Sequence, residues 1–167
     1  MLSILHLRRE LREPPVVLQL PGTSVRNMLV PDDIASWLEL RDRAMADETP
    51  RARSWNEYDF HAEMLDKPWW RADRSWLAFV DERQLVGAVT LALREGNATR
   101  IPVVHWLVVD PVYRRRGIAR VLMAHLERAA WESGWRAIGI ETHAKWTGAI
   151  AFYHSIGYTD ERERSPR

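Results

Sequence analysis

The sequence predicts an α/β (α+β) domain: a mixed, mostly antiparallel central sheet flanked by helices on both faces. Three observations carry this. WLAFV (76–80), LVGAVTLAL (85–93) and IPVVHWLVV (101–109) are short apolar runs bounded by turn residues, which is the pattern of buried strands. Two longer segments, 31–45 and the one after Gly117, repeat apolar side chains at helical spacing instead. Strand–helix–strand–helix order begins only after this antiparallel meander, which suits a layered domain and not a bundle or sandwich.

In chain order, the first 15 residues are charged and end in Pro14–Pro15, so they read as a loosely attached N-terminal arm before a single domain over 16–167. VVLQL (16–20) and SVRNMLV (24–30) are the first strand candidates. The segment 31–45 follows as a helix, with Pro31 and two aspartates at its positive end and Ile34, Trp37, Leu38, Arg41 and Met45 in register. A second helix over 54–66 has Ser54 as its cap, with Glu57 three residues on. REGNATR (94–100) is a turn between strands, and Pro111 stops the strand before it. After Gly117, the positions Ile118, Val121, Leu122, Leu126, Ala129 and Ala130 form a helical stripe that Gly134 closes. RAIGIET (136–142) is a strand, and Thr147 caps a last helix ended by Gly157 with Tyr158 packing back behind it.

The composition narrows the function classes. A net charge of +1 over 167 residues opposes a chain built to coat nucleic acid, and no apolar run is long enough to span a bilayer. With no cysteine there is no disulfide, thiolate zinc site or cysteine nucleophile. The histidines are scattered with no ligand spacing beside a carboxylate on one helix, so no metal is expected. The chain reads as soluble and cytoplasmic.

The segment DPVYRRRGIARVLM (110–123) places a basic, glycine-containing turn between a strand and a helix. A helix start has unpaired N–H groups and a dipole that favours anions, Gly117 allows close approach, and arginines add charge-assisted bonds to phosphate. Neither the Walker string nor G-x-G-x-x-G is present. What remains is R-x-x-G-x-A at Arg114, Gly117 and Ala119, which on its own also suits an exposed basic helix start.

Taken with the strand ending Val109-Asp110-Pro111, this pattern resembles the acetyl-CoA-binding motif of the GNAT-type N-acetyltransferase superfamily. A second family motif, a small residue, a tyrosine and then Gly-aromatic, is matched by Ala149, Tyr153, Gly157 and Tyr158. The match is close over 76–158 and in outline before that. The resemblance implies an acyl-CoA N-acyltransferase fold and acetyl-CoA as acyl donor. It also implies a pyrophosphate cradle at Arg114, Arg115, Arg116, Gly117, Ile118, Ala119 and Arg120. Leu107, Val108 and Val109 would pair with the pantetheine arm, and Trp146 and Ala149 would border the cofactor. Relatives often carry an asparagine where Trp146 stands, and the final family strand must be short, missing or supplied by another subunit.

Direct transfer needs a neutral amine, a polarised thioester carbonyl and a protonated leaving thiolate. The resemblance makes Tyr153 the acid; without it, Tyr153 is an interior helix aromatic. Two residues could serve as base: Glu141, at the end of its strand, and His105, in the middle of an apolar one, where a satisfied core histidine is the plain alternative. Trp37, Trp55, Tyr58, Phe60, His61, Trp69 and Trp70 would wall an acceptor cleft for a small amine with an apolar part, while Glu57, Asp59, Glu63 and Asp66 keep a peptide acceptor open. The expected enzyme is a monomer or homodimer; the alternative is a non-catalytic acyl-CoA-binding module.

Overall fold

A computed structural model of the chain describes residues 3–48, 51–93 and 101–161. Seven strands form one sheet: β1 Ile4–Glu10, β2 Thr23–Asn27, β3 Ser75–Val80, β4 Gln84–Leu93, β5 Pro102–Val109, β6 Ala137–His143 and β7 Thr159–Asp160. Their order across the sheet is β2-β3-β4-β5-β6-β1-β7, antiparallel except between β5 and β6. Two cores flank it. On one face α3 (Ile118–Glu132) and α4 (Thr147–Ser155) pack on Leu7, Val104, Ile138 and Ile140. On the other, α1 (Ile34–Ala44) and α2 (Glu57–Phe60) pack on Leu77, Leu85, Ala88 and Val108. Gly87 sets the close approach of α3: a Cβ there would stand 2.8 Å from the Ile118 side chain and 2.9 Å from that of Leu122.

The N-terminal segment departs from its sequence reading. Residues 1–15 do not form a loosely attached arm over 4–10, because that stretch is β1 and pairs with β6 from Ile4↔His143 to Glu10↔Ala137. The residue pattern explains it. Leu5 and Leu7 alternate with His6 and Arg8, and Leu7 is fully buried. The short β7 pairs with β1, which stands between it and β6. Arg9 adds a tie across elements. Its guanidinium donates to Glu127 of α3 at 2.8 Å, and the Tyr158 hydroxyl donates to the other Glu127 oxygen at 3.1 Å.

Residues 16–20 are not a strand. Val16, Val17 and Leu18 are exposed and the segment finds no strand to pair with. It runs as a strap over α3 instead, where the Pro15 carbonyl accepts from Arg128 and Leu20 reaches the core beside Gly117. The other elements fall near their expected positions, with different caps. Asp33 spends its carboxylate on the Leu29 N–H and on Arg26 (2.7 and 2.9 Å), fastening the start of α1 to β2, and this pairing holds its pKa low. Asn56, not Ser54, caps the second helix: its side chain accepts from the Asp59 N–H while Asp59 accepts from the Asn56 N–H. That helix changes to a π-helical turn at His61–Leu65. Thr147 begins α4 and does not cap it. The expected 94–100 turn lies outside the described residues.

Docking of β1 has a direct measure. Leu7→Ala removes a fully buried side chain and should lower the unfolding free energy by about 3 kcal/mol in urea titration. A loss under about 0.5 kcal/mol would mean that the strand is not part of the folded core.

Candidate active site

Strands β5 and β6 pair at only two positions, Val103↔Gly139 and Val104↔Ile140, although both continue beyond them. Past that point they part. The divergence coincides with a β-bulge on β5: Trp106 and Leu107 together oppose Val89, since Ala88 pairs with Val108 and Thr90 with His105. Trp106 takes a left-handed φ of 49°, uncommon for a bulky residue, and such a bulge sharpens the local twist of its strand. The result is an open gap between two parallel strands.

His105 and Glu141 are the first residues beyond the last β5–β6 pairs, one on each strand. Both lie on the α1/α2 face. The His105 ring packs against Trp69 (5.3 Å) and Trp106 (5.9 Å), and Glu141 shares its sheet face with Gly139, opposite to that of Ile138 and Ile140. Burial, with a smaller contribution from the Lys67 charge, lowers the His105 pKa to about 4, so its imidazole is neutral at pH 7. Glu141 is half-exposed, and opposite it on β1 stands His6, with Nδ1 3.8 Å from Oε1.

Tyr153 lies on the other face of the sheet. It sits on α4 within the α3/α4 core, and burial raises its pKa, so it stays protonated throughout the physiological range. Among the described residues its hydroxyl has no hydrogen-bond partner. Ala149 packs one turn earlier. Trp146 stacks at a tilt on His143, with ring centroids 5.6 Å apart, so its indole is already engaged at the start of α4.

The arginine turn follows β5. Asp110, nearly buried, accepts from the Val112 N–H at 3.0 Å and from Arg43 of α1 at 2.9 Å. Arg114 donates to the Ala44 carbonyl at the end of α1 (2.8 Å) and to Val109 (3.3 Å). Its guanidinium therefore braces the turn against the end of α1. Arg115 and Gly117 are both left-handed, at φ 61° and 89°, and Arg116 lies over the Tyr113 ring. Among the described residues, no acceptor is found for the backbone N–H groups of 115–120; the first helical bond runs from Val121 to Gly117. N–H groups left free at a helix start are suited to holding an anion. On β5, the Asp110 N–H bonds Val86, so ladder alternation commits Val108 to β4 and turns the Val109 N–H toward the gap. Leu107 lies in the bulge beside it.

The expected aromatic cleft is only partly present. Trp37 and Phe60 are fully buried core residues, stacked edge-on at 4.9 Å, and Tyr58 and His61 point to solvent. Trp55, Trp69 and Trp70 are half-buried near the gap. Trp106, which the sequence reading passed over, stacks on Trp55 at 5.0 Å and on His105. Arg41, though polar, is buried between them, 4.2 Å from the Trp55 ring and 4.6 Å from Trp106. Arg43 and His6 carried no motif and could not be found without the fold, and the bond from Arg43 to Asp110 is visible only there.

Residues 34–158 match the acetyltransferase (GNAT) family. The chain belongs to this family. It is 35% identical over 54 residues to the ribosomal protein bS18-alanine N-acetyltransferase of Escherichia coli K12, covering 32% of this chain and 36% of that one. To the Salmonella typhimurium LT2 counterpart it is 32% identical over 81 residues, 48% and 51% of the two chains. These matches thus span between a third and a half of those relatives. Among solved structures, a GCN5-related N-acetyltransferase from Sphaerobacter thermophilus superposes with a TM-score of 0.74 at 19% identity, covering 95% of this chain and 48% of that one. The Escherichia coli ribosomal-protein-S18-alanine enzyme gives 0.63 at 19% identity, covering 87% and 84%. An aminoglycoside N-acetyltransferase held with a CoA bisubstrate analogue gives 0.64 at 19%, covering 87% and 97%. The mixed sheet with helices on both faces is that of the family. Among the described residues no helix is long and apolar enough to cross a membrane.

The buried His105 makes stability depend on pH. An unfolded imidazole titrates near 6.5 and the folded one near 4. Above 6.5 neither form binds the proton; as pH falls through that window only the unfolded chain takes it up. Stability is thereby lost toward pH 4, by about 3 kcal/mol for this group, and the loss levels off below. Urea unfolding at pH 7 and pH 4.5 should show a smaller acid loss in His105→Gln than in the parent. Equal losses would mean that His105 is not desolvated.

Proposed function

We propose that the chain moves the acetyl group of acetyl-CoA directly to a primary amine of a small molecule or peptide. The observation that carries this is the β5–β6 gap, with a protonated tyrosine on one face of the sheet, two proton acceptors on the other, and a row of free N–H groups at its end. The backbone N–H groups of Arg115, Arg116, Gly117, Ile118, Ala119 and Arg120 fit a pyrophosphate, and the Val109 N–H and Leu107 fit the amide-bearing arm of the same molecule. When bound there, acetyl-CoA supplies an activated acetyl thioester.

The chain's own groups divide the proton work. Glu141, half-exposed at the mouth of the gap, takes a proton from the acceptor ammonium directly or through water. His105, neutral and desolvated, bonds the amine and orients it toward the gap; a pKa of about 4 makes it the weaker base. Tyr153, kept protonated by burial, gives its phenolic proton to the departing sulfur from the opposite face. Trp55, Trp69 and Trp106 exclude water from the acceptor side. The likeness to alanine N-acetyltransferases of a ribosomal protein supports a peptide amine, and the half-buried tryptophans support an amine with an apolar part. A second reading, an acyl-CoA-binding module without turnover, draws support from Trp146, which stacks on His143 where many relatives carry asparagine.

Acetylation of a panel comprising an alanine-initiated peptide, tryptamine, spermidine, kanamycin, methylamine and hydroxylamine tests the proposal. Tyr153→Phe should lower kcat by about a hundredfold while acetyl-CoA affinity in calorimetry stays unchanged, and Glu141→Gln should slow transfer to alkyl amines. Acetyl-CoA binding without transfer to any amine would favour the module. Replacing Gly117 by valine, at φ 89°, should weaken acetyl-CoA binding at least tenfold; unaltered affinity would move the phosphates elsewhere.

A further inference from the structure

Strand β1 brings a titratable side chain to the gap that no motif includes. Cross-strand register sets His6 directly opposite Glu141, on the same sheet face, with Nδ1 3.8 Å from Oε1. Both side chains are about half-exposed, so one water can bridge them and bulk solvent reaches both. His105, Glu141 and His6 therefore stand on three neighbouring strands, β5, β6 and β1, leading from the gap toward solvent.

We infer that His6 is the relay partner of Glu141: a positioning residue that takes over the proton Glu141 removes from the acceptor ammonium and hands it to solvent. This rests on the acetyltransfer reading above. The proton count asks for such an exit. As the N–C bond forms and the C–S bond breaks, the ammonium nitrogen gives up two protons; one ends on the CoA sulfur and the other must leave. A carboxylate that has taken this proton must pass it on before the next turnover, and the His6 imidazole stands beside it on the way to solvent. Other charged or titratable groups border the pair. On β1, Arg8 shares its face and is held by Glu10 at 2.7 Å; on β6, His143 accepts from the Lys145 N–H; on β5 stands His105; after β7, the Glu161 N–H donates to the His6 carbonyl.

The test uses the full chain with methylamine, which is charged at neutral pH, and hydroxylamine, which is already neutral there. His6→Ala should slow transfer to methylamine about tenfold with KM for acetyl-CoA unchanged, and leave hydroxylamine nearly unaffected. His6→Gln keeps size and hydrogen bonding without carrying a proton and should behave like His6→Ala. Added imidazole should restore methylamine turnover in His6→Ala. Parent-level methylamine turnover in both variants, or equal loss on both amines with no imidazole rescue, overturns the inference. If Glu141→Gln is slow on methylamine in the same assays, the acetyltransfer reading survives that result. No transfer to either amine by the parent protein removes that reading and the inference with it.

Discussion

Beyond Ile140, strand β6 is held in the sheet by β1 alone. Two pairs join it to β5 and seven join it to β1, so the N-terminal strand keeps the far half of the sheet in place while the near half turns away. A gap of this kind would be costly if both strands lost their partners, because buried backbone donors and acceptors must be satisfied. Here the loss is confined to the edges that face each other. The Arg9–Glu127–Tyr158 contact reinforces the arrangement by joining β1, α3 and the residue after α4 around one carboxylate. Burial pushes the Glu127 pKa up, and the Arg9 charge and the hydrogen bonds from Tyr158 and Arg9 oppose that shift.

The arginine turn solves a different problem with different atoms. Its N–H groups can stay unsatisfied only if the backbone is fixed by other means, and α1 does this through Arg43 to Asp110 and through Arg114 to the Ala44 carbonyl. The guanidinium that begins the R-x-x-G-x-A pattern thus acts as a brace. A helix packed on one face of the sheet consequently shapes a loop that leads into a helix on the other.

Much of this was legible in the sequence because it is written locally. Apolar runs located β3, β4, β5 and β6 within a residue or two, and the apolar stripe with Gly117 and Gly134 located α3. The two motifs led to the turn and to Tyr153. What failed was non-local. Leu5 and Leu7 alternate over too few residues to outweigh the surrounding charges, and only β6, more than 120 residues on, makes a strand of them. Residues 16–20 have strand propensity but no neighbour, and propensity without a partner does not make a sheet. Trp37 and Phe60 look like cleft residues by type; which of the tryptophans are core depends on the crossing of α1 and α2, and spacing along the chain does not record that.

The pairing of β1 with β6 also orders events in time. Ile4 and His143 are partners although nearly the whole chain lies between them, so the sheet cannot close until β6 has formed. Closing so large a loop costs entropy before any contact repays it, and topologies rich in such pairings fold slowly. The β3–β5 meander pairs each strand with its neighbour in sequence and can assemble early. The half of the sheet that carries Glu141 comes together only when β1 docks against a strand more than 120 residues away. Until then β6 has two unpaired edges, the kind that invites pairing with another chain. The strand that completes the sheet therefore also covers an edge of β6 through which copies of the chain could associate.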